Sequence, residues 1–119
     1  MERYAQNIIL CNPSTMLNKF FSQSIYGGKF SDEKQGLKNR PRIGSMAMAN
    51  SGKNSNSSQF FIVLTDDESK LAKMNGKYVV FGTMRASEEC RDVLKKLDAV
   101  GTEDGRPSEA VWIGSCGRC

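Results

Sequence analysis

Three runs of β-prone residues, separated by polar and glycine-containing connections, limit what this chain can fold into more than any other feature. Ile43-Gly44-Ser45-Met46-Ala47-Met48-Ala49 is apolar with small residues interspersed, as in a strand that another group approaches closely. Gln59-Phe60-Phe61-Ile62-Val63-Leu64-Thr65 is rich in aromatic and β-branched side chains, and Tyr78-Val79-Val80-Phe81-Gly82-Thr83-Met84 repeats that character. Asn50-Ser51-Gly52 ends the first run, and Lys53-Asn54-Ser55-Asn56-Ser57-Ser58 is too polar to be buried. A charged excursion from Asp66 to Lys73 leads to Met74-Asn75-Gly76-Lys77, whose Asn-Gly pair favours a tight turn into the third run.

The flanks add one helix and one further strand. Ser87 suits an N-cap, and Glu88 and Glu89 follow where carboxylates complement the helix dipole. Cys90, Val93, Leu94 and Leu97 then keep helical spacing until Gly101, which predicts a helix over about 87–98. Glu109 to Cys116 reads as a last strand after the turn-forming Glu103-Asp104-Gly105-Arg106-Pro107. Ser31 to Arg40 reads as a polar loop closed by Pro41. In residues 1–23, Asn12-Pro13-Ser14 suggests a turn and Thr15 to Phe21 the start of a short helix. Mostly short strands with a single helix give a mainly β fold, an antiparallel barrel or sandwich.

Composition narrows the function classes. With 119 residues, 39% hydrophobic and 25% charged, one globular domain is expected. The 17 Lys+Arg against 13 Asp+Glu are scattered, without the basic-aromatic interleaving of a nucleic-acid surface, so no nucleic-acid partner is expected. The start is too polar for a secretory signal and the run Ile8 to Cys11 too short to span a bilayer, so no membrane role is expected. Irregularly spaced Cys11, Cys90, Cys116 and Cys119 read as free thiols of a reducing compartment, the cytoplasm or nucleus. Cys116 and Cys119 have redox-type spacing but follow a strand instead of opening a helix, and they supply too few ligands for zinc. Asp66, Asp67 and Glu68 read as a solvated loop. The absence of any histidine removes the commonest general base and metal ligand.

Four stretches in order carry a resemblance. They are Ser24-Ile25-Tyr26-Gly27-Gly28-Lys29-Phe30, the long segment from Met48 through Asn50, Asn56 and Gln59 to Ile62, Asn75-Gly76-Lys77-Tyr78-Val79-Val80-Phe81-Gly82, and Ile113-Gly114-Ser115-Cys116-Gly117. Over roughly residues 24–117 the chain resembles a cyclophilin-type peptidyl-prolyl cis/trans isomerase. The resemblance implies an antiparallel β-barrel, no cofactor and no metal, and activity in rotating the bond before proline to assist protein folding. It implies proline-containing peptides or client proteins as partners. Phe61 would be the floor of the proline pocket, with Met74 as a wall where the family usually has Leu and Tyr78 where many members have His. Ala49, Asn50, Ser51 and Gln59 would line the peptide groove, the Asn50 backbone holding the peptide extended and the Gln59 amide meeting its carbonyls. Taken without the resemblance, Phe61 reads as plain core, Met74 as a gap-filling apolar residue, Asn50-Ser51-Gly52 as a turn and Gln59 as a polar strand end.

The chain also departs from the family pattern. Members carry before the equivalent of Ser24 several strands, a helix and a Phe-His-Arg segment that supplies the catalytic guanidinium. Residues 1–23 hold only Arg3, in an unrelated context, so no catalytic residue is assignable. An atypical segment 1–23 followed by a partial domain over 24–119, with an incomplete barrel and low activity, is therefore expected, a truncated form of the enzyme. The alternative is a non-catalytic proline-peptide module or an inactive fragment. Lys73 stands where the family often has a Trp that contacts cyclosporin, so a cyclosporin-like ligand should bind weakly. Lys53 replaces the usual Pro after Gly52, which changes loop stiffness more than chemistry.

Overall fold

A computed structural model describes residues 24–118. The readings made for residues 1–23, and for Cys119, lie outside the described residues. The order of elements is α1 (Lys34–Lys38), β1 (Ser45–Met48), β2 (Phe60–Ile62), α2 (Glu68–Met74), β3 (Val80–Thr83) and α3 (Glu88–Ala99). The strands form one antiparallel sheet in the order β2-β1-β3, which among the described residues does not close into a barrel. This is the mainly β architecture expected from the strand runs, with the incomplete barrel expected from the departure from the family pattern before Ser24.

Register explains which face becomes core. Ala47 stands opposite Phe61 on β2 and Val80 on β3, so these three residues form a row across the sheet. Leu71 and Met74 of α2 join that row in one core cluster, together with Val63, and all six are buried. Their spacing of three residues places Leu71 and Met74 on one face of α2. Between Met46 and Ala47 the register against β3 slips, leaving Phe81 as the extra residue. A bulge leaves such a residue unpaired and bends its strand. Phe81 is accordingly half exposed, and its ring meets the edge of Phe60 at 6.1 Å.

Gly44 sets the start of β1. Its φ of +83° is a left-handed conformation suited to glycine. From there its N–H donates to the Val63 carbonyl at 2.8 Å and its carbonyl accepts from Met84 N–H at 2.9 Å, tying the ends of β2 and β3 together.

The expected helix is present as α3, with the Ser87 hydroxyl accepting from Cys90 N–H at 3.2 Å. None of its residues is buried, and Val93 is nearly half exposed. Four expectations need correction. The charged excursion holds α2, because Asp67 caps it by accepting from Ser69 N–H at 3.0 Å and so supplies a helix start where a solvated loop was expected. The polar loop 31–40 holds α1, anchored by buried Gly36 against β3. Residues 109–116 form no strand, since they run along the surface with Trp112 exposed and no ladder partner among the described residues. The stretch 53–58 is not wholly solvated, because Asn56 is fully buried.

Candidate functional site

β1 passes from core to rim within a few residues. Its Ala47 lies in the buried row, while Ala49 packs at the margin of the same cluster. Two backbone bonds hold the strand end at that margin. Met48 N–H donates to the Val79 carbonyl and Ala49 N–H to the Gln59 carbonyl, each at 3.0 Å. The residues expected to line a groove thus start where the sheet is pinned on both sides.

The apolar part of the site is a contiguous cluster. Phe61 and Met74 are 5% and 8% exposed, which makes them core. Tyr78 packs against the cluster with its ring edge on Phe61, centroids 5.1 Å apart and planes at 85°. This edge-to-face geometry suits the ring quadrupoles and adds about 0.5–1.5 kcal/mol beyond burial. Tyr78 reaches this position because Met74 closes α2 and the Asn75-Gly76 turn follows at once, Gly76 having φ +72° and Lys77 N–H donating to the Met74 carbonyl at 3.2 Å. α2 and the turn therefore deliver Met74 and Tyr78 to the same apolar cluster.

The polar rim is bound into the fold by its side chains. Asn50 Nδ2 donates to the Lys77 carbonyl at 2.9 Å, and its Oδ1 accepts from Gly52 N–H at 3.2 Å. The amide so joins the end of β1 to the turn that precedes Tyr78. Ser51 N–H donates to Ser55 Oγ at 2.9 Å, while Ser51 Oγ accepts from Lys29 Nζ at 3.3 Å. Gln59, half-buried, lies immediately before β2. Phe61 and Met74 thus share one buried cluster against which Tyr78 and Ala49 pack, with Asn50 joined to the turn before Tyr78 and Gln59 to Ala49 through backbone. Ser51 stands one residue further out.

Electrostatics at the margin are modest. Asp67, fully exposed, has its carboxyl held below the usual range, first by the Ser69 hydroxyl, next by Ser69 N–H, and less by Lys70. Asp104, far along the chain, is lowered by the Thr102 hydroxyl and Arg106 N–H. Among the described residues no group of three or more His, Cys, Asp or Glu could hold a metal ion. No helix among them is long and apolar enough to cross a membrane. The chemistry these residues offer is apolar contact and hydrogen bonding.

Sequence reasoning missed Asp32, Asn54 and Asn56, which fasten the loop beside the rim. The signal was the alternation of Asn54 and Asn56 within a run read as solvated, since asparagine tolerates left-handed backbone and bonds to local backbone.

The described residues thus form an antiparallel sheet with a buried apolar cluster that includes Phe61 and a rim of amides beside it. The chain belongs to the cyclophilin-type peptidyl-prolyl cis-trans isomerase family, whose model matches residues 5–118. The match takes in most of the segment before Ser24 as well as the four stretches that carry the resemblance. Family membership gives the domain its general function, isomerisation at peptide bonds preceding proline, with proline-containing peptides as the substrate class.

Proposed function

We propose that the chain takes proline-containing peptides in extended form, the proline ring lying against Phe61, Met74 and Tyr78 and the peptide backbone along Ala49, Asn50, Ser51 and Gln59. The reading is carried by the continuity of the apolar cluster around Phe61 with the pinned rim at residues 49–51. Rotation about an X-Pro bond must break amide resonance worth a barrier of about 18–20 kcal/mol, and holding the ring while the carbonyl side turns needs no covalent chemistry. A donor aimed at the prolyl nitrogen is worth about 10²–10³ in rate. The sequence contains no Phe-His-Arg segment and no histidine, so these 119 residues should isomerise slowly at best and assist folding weakly.

A second reading, a proline-peptide module that binds without catalysis, is favoured by the packing of Tyr78 onto Phe61, which organises an apolar surface with no guanidinium involved. Lys73 at the end of α2 keeps a cyclosporin-like ligand a weak one. Free thiols at Cys90 and Cys116 support a reducing compartment, cytoplasm or nucleus.

Exchange NMR on an Ala-Pro peptide, run with the chain and with Phe61→Leu, tests both readings. Acceleration above background that falls in the variant supports the isomerase. Shift changes at Ala49–Ser51 without acceleration leave the binding module, and a dispersed spectrum with neither ends both.

A further inference from the structure

Two segments far apart in sequence are fastened by polar groups beside the proposed groove. Phe30 N–H donates to the Asn56 carbonyl at 2.9 Å, and the two residues form an isolated antiparallel bridge. Asn56 Nδ2 donates to Asp32 Oδ1 at 2.8 Å and, more weakly, to the Phe30 carbonyl at 3.4 Å. Asp32 and Asn54 clasp each other reciprocally. Asp32 N–H donates to Asn54 Oδ1 at 2.9 Å, and Asn54 N–H donates to Asp32 Oδ2 at 3.0 Å. Lys29 Nζ on Ser51 Oγ adds a further tie at the outer end.

This clasp carries costs that folding alone does not require. Asn56 is 0% exposed, and its Oδ1 has no hydrogen-bond partner among the described residues. A buried acceptor left unpaired is expensive, whereas an apolar side chain of similar shape would fill the space without that penalty. Turning the amide over would set its oxygen against two other oxygens, so the orphan is fixed by the surrounding acceptors. Asn54 adds backbone strain with φ +55°, the non-glycine residue among those described that adopts a positive value. What the unmet oxygen accompanies is a pair of Nδ2 donors, and what those donors secure is the loop. Residues 51–54 are exposed and give that stretch no apolar anchor of its own.

We propose that Asp32, Asn54 and Asn56 are positioning residues for the peptide groove, holding the loop 50–55 in its binding conformation before a peptide arrives. Asp32 acts through Asn54 and Asn56, on which its carboxylate oxygens close. A loop ordered in advance spares the ligand the entropy of ordering it, which strengthens binding without any new contact. The proposal rests on the reading that this groove takes proline-containing peptides.

The test pairs amide hydrogen exchange with titration of an Ala-Pro peptide, using the full chain, Asp32→Ala and Asp32→Asn. Exchange at Ser51–Ser55 in the free protein reads the clasp, and the titration reads its effect on the groove. Asp32→Ala should speed exchange in the loop while the strand amides of β1 and β2 stay protected, and should raise Kd about tenfold, the order set by ordering one or two side chains on binding. Asp32→Asn keeps one of the two acceptors and should fall between. A loop that loosens while Kd stays constant overturns the proposal, as does a loop that does not loosen. A wild-type chain that binds no peptide while its loop is protected overturns it by a different route, through the groove itself, and the exchange data tell the two failures apart.

Discussion

Gly36→Ala is the substitution for which the structure makes the sharpest prediction. A Cβ built on Gly36 would lie 2.5 Å from Val79 Cγ1, 3.4 Å from the Val80 carbonyl oxygen and 3.5 Å from Val79 Cβ. Carbon atoms settle at about 3.5–4.0 Å, so the first contact is short by roughly 1 Å or more. Val79 has little room to yield, being 5% exposed, β-branched and held through its carbonyl by Met48 N–H. Relief must come from α1 moving away, which stretches the Asn39 Nδ2 bond to the Val80 carbonyl now at 3.1 Å. Overpacking of this kind costs about 1–3 kcal/mol, and the weakened hydrogen bond about 1 kcal/mol more. Alanine recovers about 1 kcal/mol of helix propensity over glycine. The net expectation is destabilisation by about 2 kcal/mol, read as a lower urea midpoint with an unchanged slope. Val79→Ala removes the clashing methyl, so in the double variant the two effects should couple favourably by about 1–2 kcal/mol. A stabilised Gly36→Ala, or strict additivity in the cycle, would falsify the close packing of α1 on β3.

Phe61→Ala should cost about 3–5 kcal/mol, since it removes a buried ring from the cluster and leaves Tyr78 without its ring partner, and equilibrium urea unfolding measures it. Ser87→Ala should cost about 1 kcal/mol of α3 stability, and because α3 buries no residue the loss should show in hydrogen exchange of α3 amides and not in the global midpoint. Acid should loosen α2 through Asp67. Its folded carboxyl titrates lower than in the unfolded chain, so its contribution is complete above the unfolded value of about 3.9 and is lost as pH falls through the folded value. Asp67→Asn keeps an acceptor for Ser69 N–H and should flatten that acid dependence at Leu71 and Met74 amides, and an equal slope in both proteins would count against the cap.

How legible all this was depends on the range of the interactions. The strands were readable because their side chains pack on a sheet, and the residues chosen for them are those such a surface favours. α3 was readable because its cap and its acidic first turn are local signals. α2 was not, because its apolar residues Leu71 and Met74 are few and sit among charges, so in sequence the cap at Asp67 looks no different from solvated surface. The stretch 109–116 failed in the opposite sense. Its Val111, Trp112 and Ile113 have strand character, but a strand needs a partner edge, and none of the described strands pairs with it. For the site, Phe61, Met74 and Tyr78 came from resemblance, and the register that unites them could not be read from spacing. Asn56 was hidden for the simplest reason. A polar residue is read as exposed unless its partners, here Asp32 and Phe30, are known to lie across the chain.

The double service of Phe61 and Met74 has a consequence for how any ligand acts on this protein. The same side chains that would meet a proline ring also bury the sheet, so substitutions there report stability and affinity together and cannot separate them. The rim separates them better. Asn50 spends its amide on the Lys77 carbonyl and Gly52 N–H, outside the buried row, so losing it should relax the approach to Tyr78 without emptying the core. By linkage, a peptide that binds only the folded chain stabilises it by RT ln(1 + [L]/Kd), about 2.7 kcal/mol at a hundredfold excess over Kd. A rim substitution should shrink this gain at fixed peptide concentration while leaving the ligand-free midpoint nearly unchanged, whereas a floor substitution shifts both. The difference between those two responses distinguishes a groove built on the cluster from a core that merely lies beneath it.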